Sequence, residues 1–300
     1  MSECAAKVIK TLFYFCVMVL LRLLSRLPLS VLYTFSDFLF AISYHVLSYR
    51  KGMVRKNLRN SFPDKSDKEL KQIEKDFYHN LCDYAVETIK LLTISDEELK
   101  KRMVYRNPEI VNQFSDKNQS ILLLTSHQFN WEWLLTSGCL YLPLGVDFVY
   151  QQQSSKTFNE FSLMGRTRFG AYPVERSQVA REAIKRKEIL RGIAIMADQF
   201  PGHHNTKKYW TQFLNQRSAF YLGLGQLASL TQYPAVFFGV KKIRRGYYEA
   251  EGFVVSHPPY EKESQQIVED YIGATERTIK QQPAGWLWSH NRWKVREEMD

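Results

Sequence analysis

Apolar and polar positions divide the chain into stretches of different rhythm. Residues 11–21 carry no charge and are followed by Arg22 and Arg26, and residues 27–49 form a second apolar run broken by Asp37 and His45. Ser61-Phe62-Pro63-Asp64 signals a turn. Ser66 followed by Glu69 then makes a capping box. Leu70, Ile73, Phe77, Leu81, Tyr84, Ile89 and Leu92 recur near the helical period and predict a helix over 67–92, with a second start at Ser95 and Glu98. From there short β-like runs at 120–125, 146–151, 192–197, 234–240 and 247–255 alternate with helix-like stretches at 131–140, 158–168, 178–188 and 219–231, and 263–281 adds one more. This order predicts an α/β fold with a central mixed, largely parallel sheet flanked by helices. Such sheets bind ligands at the carboxyl ends of their strands. Residues 1–60 are read as a hydrophobic, basic membrane-anchoring helical segment and 61–300 as the α/β domain, with no repeat or low-complexity tract.

Composition adds little about fold but something about partners. At 300 residues and 45% hydrophobic, the chain is large enough for a sizeable core without disulfide or metal staples. Its net charge is +10, and residues 1–60 hold nine Lys and Arg against Glu3 and Asp37, a net of +7. Because these charges border apolar, aromatic-rich stretches, they point to an anionic membrane surface. No zinc-finger spacing, basic region with heptads or RRM-type motif suggests nucleic acid. Three arrangements fit the first 60 residues: a helical hairpin in the membrane interface, a single span over about 7–27, or a buried core helix. The stretch Arg-Leu-Leu-Ser-Arg-Leu-Pro after the first run is no signal-peptidase site. Cys4, Cys16, Cys82 and Cys139 are scattered, as expected of small buried hydrophobes in a reducing compartment.

The candidate chemistry lies in Ser126-His127-Gln128-Phe129-Asn130-Trp131-Glu132-Trp133. Ile121–Thr125 reads as a buried strand, so His127 falls on the loop at its carboxyl end. Asn130 suits an N-cap, which starts a helix at Trp131 and puts Glu132 in its first turn. In one unbroken helix, residues five apart point about 140° away from each other. The loop-to-helix break is what brings Glu132 within reach of the imidazole. A neutral imidazole takes a proton from a hydroxyl near neutral pH, and a carboxylate on its other nitrogen fixes the tautomer. With no G-x-S-x-G present, a substrate hydroxyl rather than an enzyme serine is the expected nucleophile. An isolated pair of this kind is weak evidence, since a loop histidine and a first-turn acid are common.

Motifs elsewhere strengthen it. Asn57-Leu58 and Ser61-Phe62-Pro63 precede the His127/Glu132 pair with its Asn130-Trp131. Arg166, Arg168 and Gly170 follow, then Asp198-Gln199, then Pro283, Trp286, Trp288, His290, Arg292, Trp293 and Lys294. Over nearly its whole length the chain resembles the lysophospholipid acyltransferase superfamily, and within it the late (lauroyl/myristoyl) acyltransferases of lipid A biosynthesis. The resemblance implies a glycerolipid acyltransferase-like fold and His127 as general base with Glu132 as its orienting acid. It also implies substrate-binding roles for Asn130, Arg166, Arg168, Asp198 and Gln199. The implied donor is an acyl carrier protein thioester, or acyl-CoA. The implied acceptor is a lipid A precursor hydroxyl at the cytoplasmic face of the inner membrane. A lysophospholipid or aminolipid acceptor is the alternative. A non-catalytic membrane-binding protein and a lipid esterase are readings of other classes. No cofactor or metal is implied; His203-His204 lacks a third ligand at a recognisable spacing. Lys241-Lys242 and Arg244-Arg245 are read either as attraction for an acidic carrier or as a charged hairpin end. The three tryptophans 286, 288 and 293 are read as core or as interfacial aromatics.

Overall fold

The computed structural model describes residues 3–202, 207–262 and 265–293, with side chains from Tyr14 onward. Helices α1 (Glu3–Arg26) and α2 (Leu29–Phe40), the latter continued by a π-helical turn (Ala41–Val46), precede α3 (Lys51–Ser61), α4 (Asp67–Lys90) and α5 (Asp96–Arg102). The strands are β1 (Met103–Tyr105), β2 (Ile121–Thr125), β3 (Gly145–Tyr150), β4 (Tyr172–Glu175), β5 (Arg191–Met196), β6 (Lys208–Phe213), β7 (Gln216–Tyr221), β8 (Ala235–Arg244) and β9 (Tyr247–Ser256). Between and after them come α6 (Asn112–Ser115), α7 (Trp131–Tyr141), α8 (Lys156–Thr167), α9 (Val179–Lys185), α10 (Gly223–Thr231) and α11 (Gln266–Gln281).

Seven strands form one sheet in the order β1-β9-β8-β2-β5-β3-β4. Only β8 and β9 pair antiparallel; the other neighbours run parallel. The expected mixed, largely parallel sheet is therefore present. Strand β2 shows why both faces must be covered. Leu122 and Leu124 enter one core with α4, α10 and α11, while Ile121 and Leu123 enter another with α7 and α2. An apolar run without alternation is what a strand buried on both faces requires.

The capping box forms as expected: Glu69 N donates to Ser66 Oγ while Ser66 N donates to Glu69 Oε2 at 2.8 Å. Two expectations differ. The stretch 219–231 is not one helix: β7 runs to Tyr221 and α10 begins at Gly223. Its first three residues, 219–221, belong instead to a separate β6–β7 hairpin, turned by Leu214 and Asn215 at φ 50° and 60°. Two positive φ values in a two-residue loop are the hairpin geometry that matches strand twist. The short strands β1 and β4 have too few residues to leave a periodic signal. The exposed Cys16 also departs from the expectation of buried thiols, whereas Cys82 is buried.

Elements distant in sequence meet around the C-terminal segment. Asn57 Nδ2 donates to the carbonyls of Trp288 (3.0 Å) and His290 (3.3 Å), and Phe62 packs edge-on against Trp288 at 5.8 Å. Trp286 and Trp288 are buried and Trp293 is half-buried against the same core, so these rings are core rather than interfacial. Lys294 and the His203-His204 pair lie outside the described residues. Of the basic pairs at the β8–β9 turn, Lys242 and Arg245 turn inward, while Arg244 is exposed. Lys242 and Arg245 pair with buried Asp83, Arg245 also pairs with Asp37, and Lys241 pairs with Glu251. A charged hairpin end tied to its own fold is the reading that fits them.

Candidate active site

The loop after β2 is held from two sides. Tyr271 of α11 donates its hydroxyl to Thr125 O (3.0 Å) and accepts from Ala197 N (2.9 Å), tying together the ends of β2 and β5. On the other side, residues 285–287 run along the loop: Phe129 N donates to Gly285 O (2.8 Å), Leu287 N to His127 O (3.2 Å), and Gln128 bridges Trp286. Phe129 sits in the left-handed region at φ 47°, a conformation a bulky residue keeps only when its surroundings enforce it. Its ring occupies the space a side chain at 285 would need, 2.4 Å from where a Cβ would stand, so only glycine fits there.

This frame presents His127 to Asp198, at the end of the neighbouring strand β5. Nδ1 lies 2.7 Å from Asp198 Oδ1, and the His127 backbone N–H donates to Oδ2 at 3.0 Å. Trp286 Nε1 donates to the same Oδ2 at 2.8 Å. Asp198 is 1% exposed. Burial pushes its carboxyl up, but the adjacent imidazole and the hydrogen bonds from His127 and Trp286 outweigh that and bring it down to about 2. An ionised Asp198 requires Nδ1 to carry the proton, which leaves Nε2 as the nitrogen free to exchange one.

The expected hydrogen bond between His127 and Glu132 is therefore not what the structure contains. Glu132 instead takes a fork from Arg166, Nε to Oε2 at 2.7 Å and Nη2 to Oε1 at 2.6 Å, with Trp131 Nε1 adding 3.1 Å to Oε1. Burial opposes its ionisation, yet Arg166 dominates, followed by Trp131 and the charge of His127, and holds the carboxyl below its ordinary range. The fork suits a guanidinium geometrically better than an imidazole, which explains the exchange of partners. Asn130 is the N-cap, with Oδ1 accepting from Trp133 N at 2.9 Å. Its Nδ2 donates to Glu87 at 2.7 Å and it is fully buried, so it holds the helix rather than facing a substrate. Arg168 turns its Nη1 to the carbonyls of Leu91 and Ile94 at the end of α4, away from Glu132. Gln199 follows Asp198 and is half-buried.

An apolar cavity of about 50 Å³, partly open to solvent, runs between α7 and the sheet. Thr125, Trp131, Glu132, Arg166 and Met196 surround its end at the carboxyl side of the strands, while Gly138, Leu142, Val146 and Tyr105 lie deeper. The imidazole stands beside this cavity rather than in it. Trp131 is common to both: it lines the cavity, meets the His127 ring edge-on at 5.1 Å and leans on Tyr84 at 4.1 Å. Trp131 and Trp286 stood in the sequence motifs without a role at the site, and Tyr84 read as core because it falls at helical spacing. Among the described residues no group of three or more His, Cys, Asp or Glu is arranged to hold a metal ion.

The His127–Asp198 pair thus stands beside a small apolar cavity. The sequence comparison states the class of protein: residues 3–295 match the family model described as bacterial lipid A biosynthesis acyltransferase. The chain belongs to that family and is an acyltransferase. Among solved structures, the 1-acyl-sn-glycerophosphate acyltransferase PlsC from Thermotoga maritima is similar over 86% of this chain and 97% of that chain, at 16% identity and a TM-score of 0.40. Among curated proteins none matches.

Proposed function

We propose that this enzyme transfers a fatty acyl chain from an acyl carrier protein thioester to a hydroxyl of a lipid A precursor, with His127 as base and Asp198 as the acid that orients it. The observation that carries the reading is the 2.7 Å His127–Asp198 pair standing beside the apolar cavity. The acceptor hydroxyl gives its proton to Nε2 as its oxygen attacks the thioester carbonyl. The imidazolium, stabilised by Asp198, returns that proton to the departing carrier thiolate as the tetrahedral intermediate collapses. Arg166 spends Nε and Nη2 on Glu132. Its Nη1 remains to stabilise the oxyanion, with Glu132 fixing the guanidinium in place. Acyl-CoA as donor, and a lysophospholipid or aminolipid as acceptor, require the same chemistry.

We also infer attachment to the inner membrane from its cytoplasmic face, without a span. The segment Leu29–Val46 is long and apolar enough to cross by length and composition. One side of it is bound to the protein: Tyr33 donates to Glu87, Ser36 to Asp83, and Asp37 pairs with Arg245. The opposite side exposes Val31, Phe35 and Phe38. A helix bound along one side and apolar along the other suits the interface plane. The test is incubation of the purified protein in lipid vesicles with acyl carrier protein thioesters or acyl-CoA and each candidate acceptor, read by mass spectrometry. Acylation of a lipid A precursor that His127→Ala abolishes is expected. Transfer that survives in His127→Ala, or goes only to other acceptors, would overturn the assignment.

A further inference from the structure

Glu87 of α4 is fully buried, and among the described residues no Lys or Arg forms an ion pair with it. Burial, then the charge of Asp83, pushes its carboxyl up to about 7, with hydrogen bonds offsetting part of the rise. Three side chains from three elements converge on it. Tyr33 of α2 donates to Oε1 at 2.7 Å, Asn130 at the start of α7 donates to Oε2 at 2.7 Å, and Tyr248 of β9 donates at 2.9 and 3.1 Å. Its backbone carbonyl accepts from Trp133 Nε1 at 3.1 Å. Tyr33 reaches it past the β8–β9 turn, where a Cβ on Gly246 would lie 2.0 Å from the tyrosine hydroxyl.

The arrangement matters because of what Asn130 has to do. To cap α7 its amide oxygen must face Trp133 N, and this turns its NH₂ into the protein interior. A buried NH₂ needs an acceptor, and without one the amide flips or leaves the cap. Glu87 is that acceptor. The next two residues are Trp131, against the imidazole, and Glu132, which holds Arg166. Resting on the acyl-transfer reading above, we propose that Glu87 is a positioning residue. Through Asn130 it sets the first turn of α7 and hence Trp131, Glu132 and Arg166, and through Tyr33 it ties that turn to the lipid-facing helix α2.

The experiment compares wild type, Glu87→Met, Glu87→Met with Asn130→Ser, and His127→Ala, all in lipid vesicles, with thermal unfolding followed for each. Glu87→Met removes the acceptor at similar volume and is expected to lower kcat by roughly tenfold to a hundredfold with KM within about twofold. Serine at 130 still offers an oxygen to Trp133 N but carries no NH₂ that needs Glu87. Adding it should therefore recover most of the lost kcat, a rescue that simple loss of packing would not show. Should Glu87→Met fail to fold, Glu87→Gln is expected to give the same pattern at about threefold amplitude. Unchanged kcat in a folded Glu87 variant, or a double variant as impaired as the single one, overturns the proposal while an inactive His127→Ala leaves the acyl-transfer reading intact. A fully active His127→Ala would sink both.

Discussion

His127 and Asp198 lie 71 residues apart in the chain, yet one carboxylate binds both the ring nitrogen and the backbone amide of the histidine, at 2.7 and 3.0 Å. Two contacts to one residue fix the position of the loop as well as the tautomer of the ring. Asp198 is itself steadied by Trp286, which reaches it from the C-terminal segment.

Asp198→Asn keeps the shape of that carboxylate but cannot stabilise an imidazolium. It should lower kcat by roughly 10²–10⁴-fold with a modest change in KM. Steady-state transfer measured by mass spectrometry checks this. A variant within a few fold of wild type would mean that the orienting acid is another residue.

Glu132 and Arg166 form a buried pair, with side chains 5% and 15% exposed. Removing one charge strands the other in a medium that does not solvate it, at a cost of about 3–5 kcal/mol. Arg166→Met should accordingly lose more stability than Arg166→Met combined with Glu132→Gln. Urea unfolding of the two single variants and the double gives the coupling directly. Activity should stay low in all three if Arg166 carries the oxyanion.

The path to Asp198 shows where sequence reading stops. Ile121–Thr125 is an unbroken apolar run, so the strand, the loop carrying His127 and the Asn130 cap are written locally. Glu132 was the nearest acid along the chain and so the natural partner. Asp198 reaches the imidazole only because Thr125 on β2 stands opposite Met196 on β5. That pairing follows from strand order, which nothing in either segment encodes. The β6–β7 hairpin was missed for a local reason: its turn uses Leu214, buried and apolar, where a glycine would have marked it. The motif stretches around Asn57 and Trp288 were visible separately, while their contact is a product of folding.

Two buried carboxyls make stability depend on pH with opposite signs. Asp198 lies at about 2, below its ordinary 3.8, so its contribution is present above the ordinary value and is lost as pH falls toward 2. Glu87 lies at about 7, above its ordinary 4.5, so its contribution is full below 4.5 and is lost as pH rises through 7. The urea midpoint should therefore rise between pH 2 and 4 and lose part of that gain from 4.5 to 7. Glu87→Gln should remove the upper slope and leave the lower one.

The deep end of the cavity is set by an absent side chain. A Cβ on Gly138 would stand 2.8 Å from Tyr105 Oη, and that hydroxyl is held by Leu134 O at 2.8 Å. Gly138→Leu should therefore intrude on the deep end and shorten the longest acyl chain accepted. Across a series of thioesters, kcat/KM should fall most for the longest chains, by roughly 10- to 200-fold relative to the shortest. An equal fall at every length would mean that the acyl chain lies elsewhere.

The outer side of α2 supplies the last test. Val31, Phe35 and Phe38 are 48%, 40% and 58% exposed, and Leu20 and Leu23 of α1 are each 55% exposed. None of the three α2 residues is part of the buried core, so replacing them costs the fold little. Each aromatic that enters lipid gains about 1.5–3 kcal/mol. Phe35→Glu with Phe38→Glu should therefore weaken binding to anionic vesicles by at least about a hundredfold, measured by sedimentation, with the unfolding midpoint in detergent unchanged. Raising the salt should weaken both proteins further, since the basic residues add attraction that salt screens. If the double variant sediments with vesicles as wild type does, this face is not the one that meets the membrane.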